Sequence, residues 1–198
     1  MEKLSIRIAD LLLEKQYIEE SMYNIYQYGM QMALEIGLSF ITSIFICCIW
    51  RKIAEGIIFF AIFIPLRSYL GGFHMKSYRA CYICSCVTLV AVLGLSSFEP
   101  YYYISWFILS ISIIMVFLEA KREKLKDAEG RHFYPKICMI ILIILIIGIV
   151  FTTLGSSSKL FLLACTNILV AVSKLLERTQ AIEAVSYTHL RAHETAAN

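Results

Sequence analysis

The stretch Arg67-Ser68-Tyr69-Leu70-Gly71-Gly72-Phe73-His74-Met75-Lys76-Ser77-Tyr78-Arg79-Ala80-Cys81 lies between two apolar runs and concentrates an arginine, a glycine pair, a histidine and a cysteine. Polar residues at this depth are costly, which makes function the default reading. A histidine beside a cysteine produces a thiolate and supplies a proton to a leaving group. If a helix restarts near Lys76, His74 precedes its first turn and Cys81 lies in its second. Seven residues is two helical turns, so helical geometry extending back to His74 would set both side chains on one face. Gly71 and Gly72 permit a turn of positive φ and a close backbone approach. Around Gly72, or at the helix start near Ser77, backbone N–H groups are candidate oxyanion donors. Arg67 is a candidate for binding substrate carboxylates or the oxyanion, with an anchor to lipid phosphate as the structural alternative. Ser77, backbone carbonyls, Glu35 and Glu55 are all open as orienters of the imidazole.

Other readings of the same residues compete. A lone His and Cys seven apart often arise by accident, and most of the 7 cysteines suit small core positions. His74, Cys81, Cys84 and Cys86 could ligate zinc, but their spacing is not the paired pattern of a zinc site, and no metal is expected. His132, inside the basic segment 121 to 136, reads as a solvated or headgroup-facing residue. The lysines and arginines of that segment read as an anchor to anionic lipid, with an acidic peptide as the sharper alternative.

The elements that must hold these residues are membrane helices. Of 198 residues, 59% are apolar and 17% charged, and the mean hydropathy is +0.71. One soluble core of this size could not hide that much apolar side chain. Apolar runs fall at about 32 to 50, 53 to 66, 80 to 95, 101 to 118, 137 to 154 and 160 to 173. This predicts an all-α, polytopic membrane bundle with six hydrophobic segments, of which four to six are true spans. The first pair, interrupted by Glu35 and Glu55, reads either as two short spans or as a re-entrant pair. Residues 1–31 read as an amphipathic N-terminal helix and 32–178 as the membrane domain. No cleaved signal peptide is expected. Segments on alternate sides hold 14 and 3 lysines and arginines, which puts both termini and the segments 67 to 79 and 121 to 136 in the cytoplasm. Arg51 and Lys52 fit this rule least well. The net charge of +3 is too small, and the basic residues too confined to inter-helix segments, for a nucleic-acid partner.

In order and placement these residues resemble the accessory gene regulator B (AgrB) peptidases, which process the precursor of a Gram-positive quorum-sensing peptide. The pattern is R-x4-G-x-H-x6-C, formed by Arg67, Gly72, His74 and Cys81 after the second hydrophobic run, and Tyr28-Gly29 before the first run is similar too. The resemblance covers about residues 5 to 178, although the loop 119 to 136 lacks the family's Ala-Pro and Asn-Lys-Pro pieces. It implies a multi-pass cysteine endopeptidase that cleaves a small precursor propeptide at the cytoplasmic membrane face. Cys81 would be the nucleophile and His74 the base, and a thioester acyl-enzyme would lead to a cyclic thiolactone or lactone. Arg67, Gly71, Gly72 and Ser77 would support the site or bind substrate. No cofactor is implied, membrane lipid is a partner, and pairing with a second copy stays open. The competing class is a small non-enzymatic transporter or scaffold for peptide export. Residues 185–198, with Ser-Tyr-Thr-His-Leu-Arg-Ala-His-Glu-Thr at their centre, resemble a translated sequencing adapter and read as a non-native tail. His189 and His193 in it are set aside as metal ligands.

Overall fold

A computed structural model describes residues 2–73, 77–126 and 128–196, with side chains described for Lys3 to Gln180 within those ranges. Among the described residues the regular structure is entirely helical: α1 (Glu2–Glu14), a 3-10 turn (Glu20–Met22), α2 (Tyr23–Ile49), α3 (Ile53–Leu70), α4 (Tyr78–Leu95), α5 (Tyr102–Lys126), α6 (Ala128–Thr153) and α7 (Ser157–Ala196). Six of these helices, α2 to α7, are long and apolar enough to cross a membrane. The protein is an all-α polytopic bundle. Its large exposed apolar side chains, such as Ile41, Phe45, Phe107, Ile114, Leu142 and Ile149, would be untenable in water and belong against lipid.

The N-terminal stretch is not one helix. The chain turns at Gln16, which adopts a φ of 58°, and residues 23 to 31 belong to α2. α1 folds back on α2, with Tyr23 donating to Asp10 Oδ1 at 2.6 Å. Ser5 and Ala9, four apart, are buried along α1. The first pair of runs forms two separate helices of 27 and 18 residues, rather than a re-entrant pair. α5 and α6 extend well beyond their apolar runs into the basic segment, and α7 continues through residues 185 to 196 without a break.

α7 is the axis of the bundle. Leu160, Leu163, Ala164, Asn167, Val170, Ala171 and Lys174 recur every three to four residues, and all are buried. That stripe packs on α5, its most extensive partner, through Leu109, Ser112, Val116 and Ala120. With α6 intervening, α5 and α7 run in the same direction. Small residues along both let the backbones approach, as membrane helices require where water supplies no driving force. α3 and α6 complete this core with Leu66, Leu70, Ile137 and Ile144. A second cluster, Cys47, Phe59, Leu89, Leu93 and Leu162, joins α2 and α4 to it. At the α5 to α6 reversal the chain passes so close to itself that a Cβ on Gly130 would stand 2.1 Å from the Glu123 carbonyl oxygen.

Short connections reverse the chain after every span, so the ends of α3, α5 and α7 gather at one end with the starts of α4 and α6. Lys52 lies at the other end and has a structural occupation. Its Nζ donates to the Leu93 carbonyl at 2.8 Å, to Ser96 Oγ at 2.9 Å and to Ser97 Oγ at 2.6 Å. A cation is thus placed on the C-terminal carbonyls of α4, where the helix dipole favours it. Lys52 departs from the loop-charge bias because it caps a helix. Truncation by Lys52→Ala is expected to cost about 2 kcal/mol, the scale of a lost charge-assisted bond. Thermal unfolding of the purified protein in detergent would show it, with Lys52→Arg, which keeps the cation, recovering most of the loss.

A candidate active site at the α3 to α4 turn

α3 ends at Leu70 because the next two residues are glycines that leave helical geometry, with Gly71 at φ 80° and Gly72 at φ 155°. The Gly71 N–H still donates to the Arg67 carbonyl at 2.9 Å and closes the last turn. The chain re-enters a helix at Tyr78, with Ser77 as an extended N-cap whose hydroxyl makes no capping bond. Cys81 is the fourth residue of α4, and its N–H donates to the Ser77 carbonyl at 3.0 Å. The preceding N–H groups of the first turn have no partner within the helix, so an anion is favoured in front of it.

This geometry alters one expectation. Cys81 ends the first turn rather than lying in a second, and with Ser77 extended the helix that holds Cys81 begins at Tyr78 and does not run back through Ser77. His74 itself lies outside the described residues. Cys81 is half-buried. Eleven residues on, about three turns, stands the buried Val92, so Cys81 shares the inward flank of α4. Cys84 is exposed, and Cys86 lies nearly opposite it around the helix, which divides the alternative zinc set. Tyr78 donates to the Glu35 carbonyl at 2.9 Å and Tyr82 pairs with Thr42 Oγ1 at 2.8 Å, fixing α4 on α2. Glu35 does turn inward: it is 8% exposed and accepts from the Gln31 amide at 3.0 Å.

Arg67 is committed to the protein. Its Nη1 donates to Ser173 Oγ at 2.6 Å, its Nη2 to the Phe73 carbonyl, and the guanidinium lies over the Phe63 ring at 5.7 Å. The Phe73 N–H donates to both the carbonyl (3.1 Å) and the hydroxyl (3.2 Å) of Ser173. Gly72 is required in the middle of this knot, since a Cβ there would meet Arg67 Nη1 at 2.6 Å and Ser173 Oγ at 2.9 Å. Beside Gly71, Lys174 is 7% exposed and its Nζ lies 3.1 Å from Glu177 and 3.3 Å from Glu123. Glu119, also buried, takes Arg122 at 2.9 Å and Arg178 at 3.5 Å. These pairs tie the ends of α5 and α7 together where the low dielectric makes unpaired charge expensive.

Ser173, Lys174, Glu119 and Glu123 escaped the sequence reading because they are about 50 to 100 residues from the motif. The available signal was the polar Ser-Lys pair that ends the apolar stripe of α7. The basic segment is also less free than a lipid anchor would be. Lys124 stacks over Tyr134 at 4.3 Å, and Lys136 lies 5.2 Å from the Tyr69 ring and 3.3 Å from His132 Nε2.

A family model described as Accessory gene regulator B matches residues 5–176, most of the chain and all of the elements just described except the first residues of α1 and the end of α7. The chain belongs to the AgrB family. It is also similar to an AgrB-like protein of Clostridium beijerinckii, with 29% identity over 102 residues. That match spans about half of each chain, 50% of this one and 51% of the relative. No solved structure matches. The family is linked to peptide processing in the accessory gene regulator system. In this AgrB chain the knot around Gly72 yields a direct expectation. Gly72→Ala should displace the guanidinium and cost about 2 kcal/mol, the scale of one or two charged hydrogen bonds. Gly37→Ala, where a methyl meets open space within α2, should leave stability unchanged or slightly raised. Thermal unfolding of the two variants side by side would separate the outcomes.

Proposed function

We propose that this AgrB protein is a membrane-embedded cysteine endopeptidase acting on a small quorum-sensing precursor peptide. The observation that carries the reading is the Arg67–Phe73–Ser173 knot, which fixes the non-helical backbone leading from α3 toward the cysteine in the first turn of α4. Cys81 and His74 lie at the two ends of the short segment that follows this knot. His74 removes the Cys81 thiol proton and the sulfur attacks the scissile carbonyl carbon. The resulting oxyanion is met by unpaired N–H groups at the start of α4. The intermediate then expels the amine, which takes the proton back from the imidazolium, and a thioester remains on Cys81. A thiol or hydroxyl within the precursor next attacks that thioester, losing its proton as Cys81 regains one, and closes a thiolactone or lactone. Neither a metal nor a cofactor enters these steps.

The charge distribution supports a cytoplasmic site. Arg67, Lys174 and the basic α5–α6 segment share the end of the bundle that carries Cys81, and positively charged segments stay on the cytoplasmic side. The precursor would approach from that side, with lipid surrounding the rest of the bundle.

The test is co-expression in a host membrane with small peptides encoded beside the gene, reading precursor mass for wild type, Cys81→Ala and His74→Ala. Cleavage by wild type alone is expected, with both variants reduced by at least about 1000-fold, as removal of a thiol-protease nucleophile or base requires. An adduct of enzyme plus acyl fragment should accumulate when the precursor's own nucleophile is replaced by alanine. Equal processing in all three would sink the reading and favour a transporter or scaffold.

A further inference from the structure

The knot beneath the reactive turn includes a residue from a distant helix that takes no part in the steps above. Ser173 sits on α7, one position before the buried Lys174 and one full turn beyond the buried Val170. Three of its interactions go to the α3–α4 turn: Arg67 Nη1 to its hydroxyl at 2.6 Å, and the Phe73 N–H to its carbonyl at 3.1 Å and its hydroxyl at 3.2 Å. The Phe73 carbonyl is held in turn by Arg67 Nη2. Serine, arginine and the Phe73 peptide therefore form a closed ring of hydrogen bonds in which both polar groups of Phe73 are fixed. The next residue in the chain is His74.

We propose that Ser173 is a positioning residue of the reaction, holding the Phe73 peptide that immediately precedes the base, His74, in the chain. This rests on the endopeptidase reading. The physical case is one of entropy and tolerance. Gly71 and Gly72 give the turn the freedom it needs to leave α3, and that same freedom would let the segment wander on its way to α4. A base displaced by about 1 Å from its nucleophile loses about 100-fold in rate. α7 is the best-buried helix of the bundle, so its backbone is the most rigid available reference. A hydroxyl suits the position because it can accept from the guanidinium and from the peptide N–H at once. Alanine keeps the carbonyl bond but deprives Arg67 Nη1 of its acceptor, while threonine keeps the hydroxyl.

The experiment measures kcat, KM and folded yield for wild type, Ser173→Ala and Ser173→Thr in proteoliposomes, with the alkylation rate of Cys81 in a background where the other six cysteines are serine or alanine. Expected for Ser173→Ala is a fall in kcat of about 10- to 100-fold with KM within about twofold. Cys81 alkylation should slow and the melting temperature should stay close to wild type. Ser173→Thr should restore most of kcat. Unchanged kcat in Ser173→Ala, or a fall that only follows the loss of folded protein and is not rescued by threonine, overturns the inference. Cys81→Ala and His74→Ala run in parallel keep the two levels apart. Their continued cleavage would remove the endopeptidase reading and this inference with it, whereas inactive catalytic variants beside a fully active Ser173→Ala would remove the positioning role alone.

Discussion

A guanidinium that reaches into the end of a membrane bundle must find its partners inside the protein, and the arrangement around Arg67 follows from that constraint. Water is scarce there and an unpaired charge is costly. Arg67 meets the cost with a hydroxyl from α7, a peptide carbonyl from the turn it precedes, and the face of Phe63 one helical turn back. Each partner imposes a further requirement. The carbonyl can be supplied only if the chain doubles back on itself immediately after α3, which demands two successive glycines and space where their side chains would be. The hydroxyl can be supplied only if α7 presents position 173 at that height, which its buried stripe from Leu160 to Lys174 determines.

The same logic accounts for the remaining charge. Lys174 lies at the foot of the stripe, too deep to reach solvent, and is matched by Glu123 and Glu177. Glu119, one turn from Glu123 on α5, is matched by Arg122 and Arg178. Because α5 and α7 run parallel, these pairs bind two helix ends on one side of the bundle and set the height of Ser173 against the α3–α4 turn. At the opposite end Lys52 does for α4 what a capping residue does in a soluble protein. Cations in this protein are therefore of two kinds: some, such as Lys121 and Arg131, face outward, and others complete the helix ends.

How much of this was legible in the sequence depends on the range of the interaction concerned. The six hydrophobic helices were, because a bilayer demands a long apolar run whatever the fold. The motif from Arg67 to Cys81 was too, because its polar residues stand out against that background. Helix lengths were not: apolar runs mark the part of a helix inside lipid, while α5 and α6 go on through residues whose charges are paired with other helices or stacked on rings. The break at Gln16 was hidden because the apolar spacing of the first residues continues across it in the letters. Period also misled at the site. A spacing of seven suggests one helix face, yet Ser77 is extended and α4 begins only at Tyr78. Nothing in residues 67 to 81 refers to position 173, and a contact across 106 residues leaves no local trace.

Irregular backbone at the end of a membrane span must find partners within the protein wherever lipid surrounds it, since lipid satisfies no backbone hydrogen bond. Here three peptide groups of the turn are taken up: the Gly71 N–H by the Arg67 carbonyl, the Phe73 N–H by Ser173, the Phe73 carbonyl by the guanidinium. These bonds hold that backbone in place, and such rigidity is what the proposed acyl transfer would require of groups that must stay in line with a scissile carbonyl. The position near the edge of the bilayer adds a second effect. On the proposed endopeptidase reading, exchange of one thioester for another would be nearly isoenergetic, so ring closure would keep the acyl group activated, whereas hydrolysis would discard it irreversibly. Lower water activity at the membrane face slows the second more than the first. The arginine that satisfies the turn, the glycines that allow it and the serine that pins it thus act together on the backbone between α3 and Phe73, supplying the stiffness that the proposed chemistry would need.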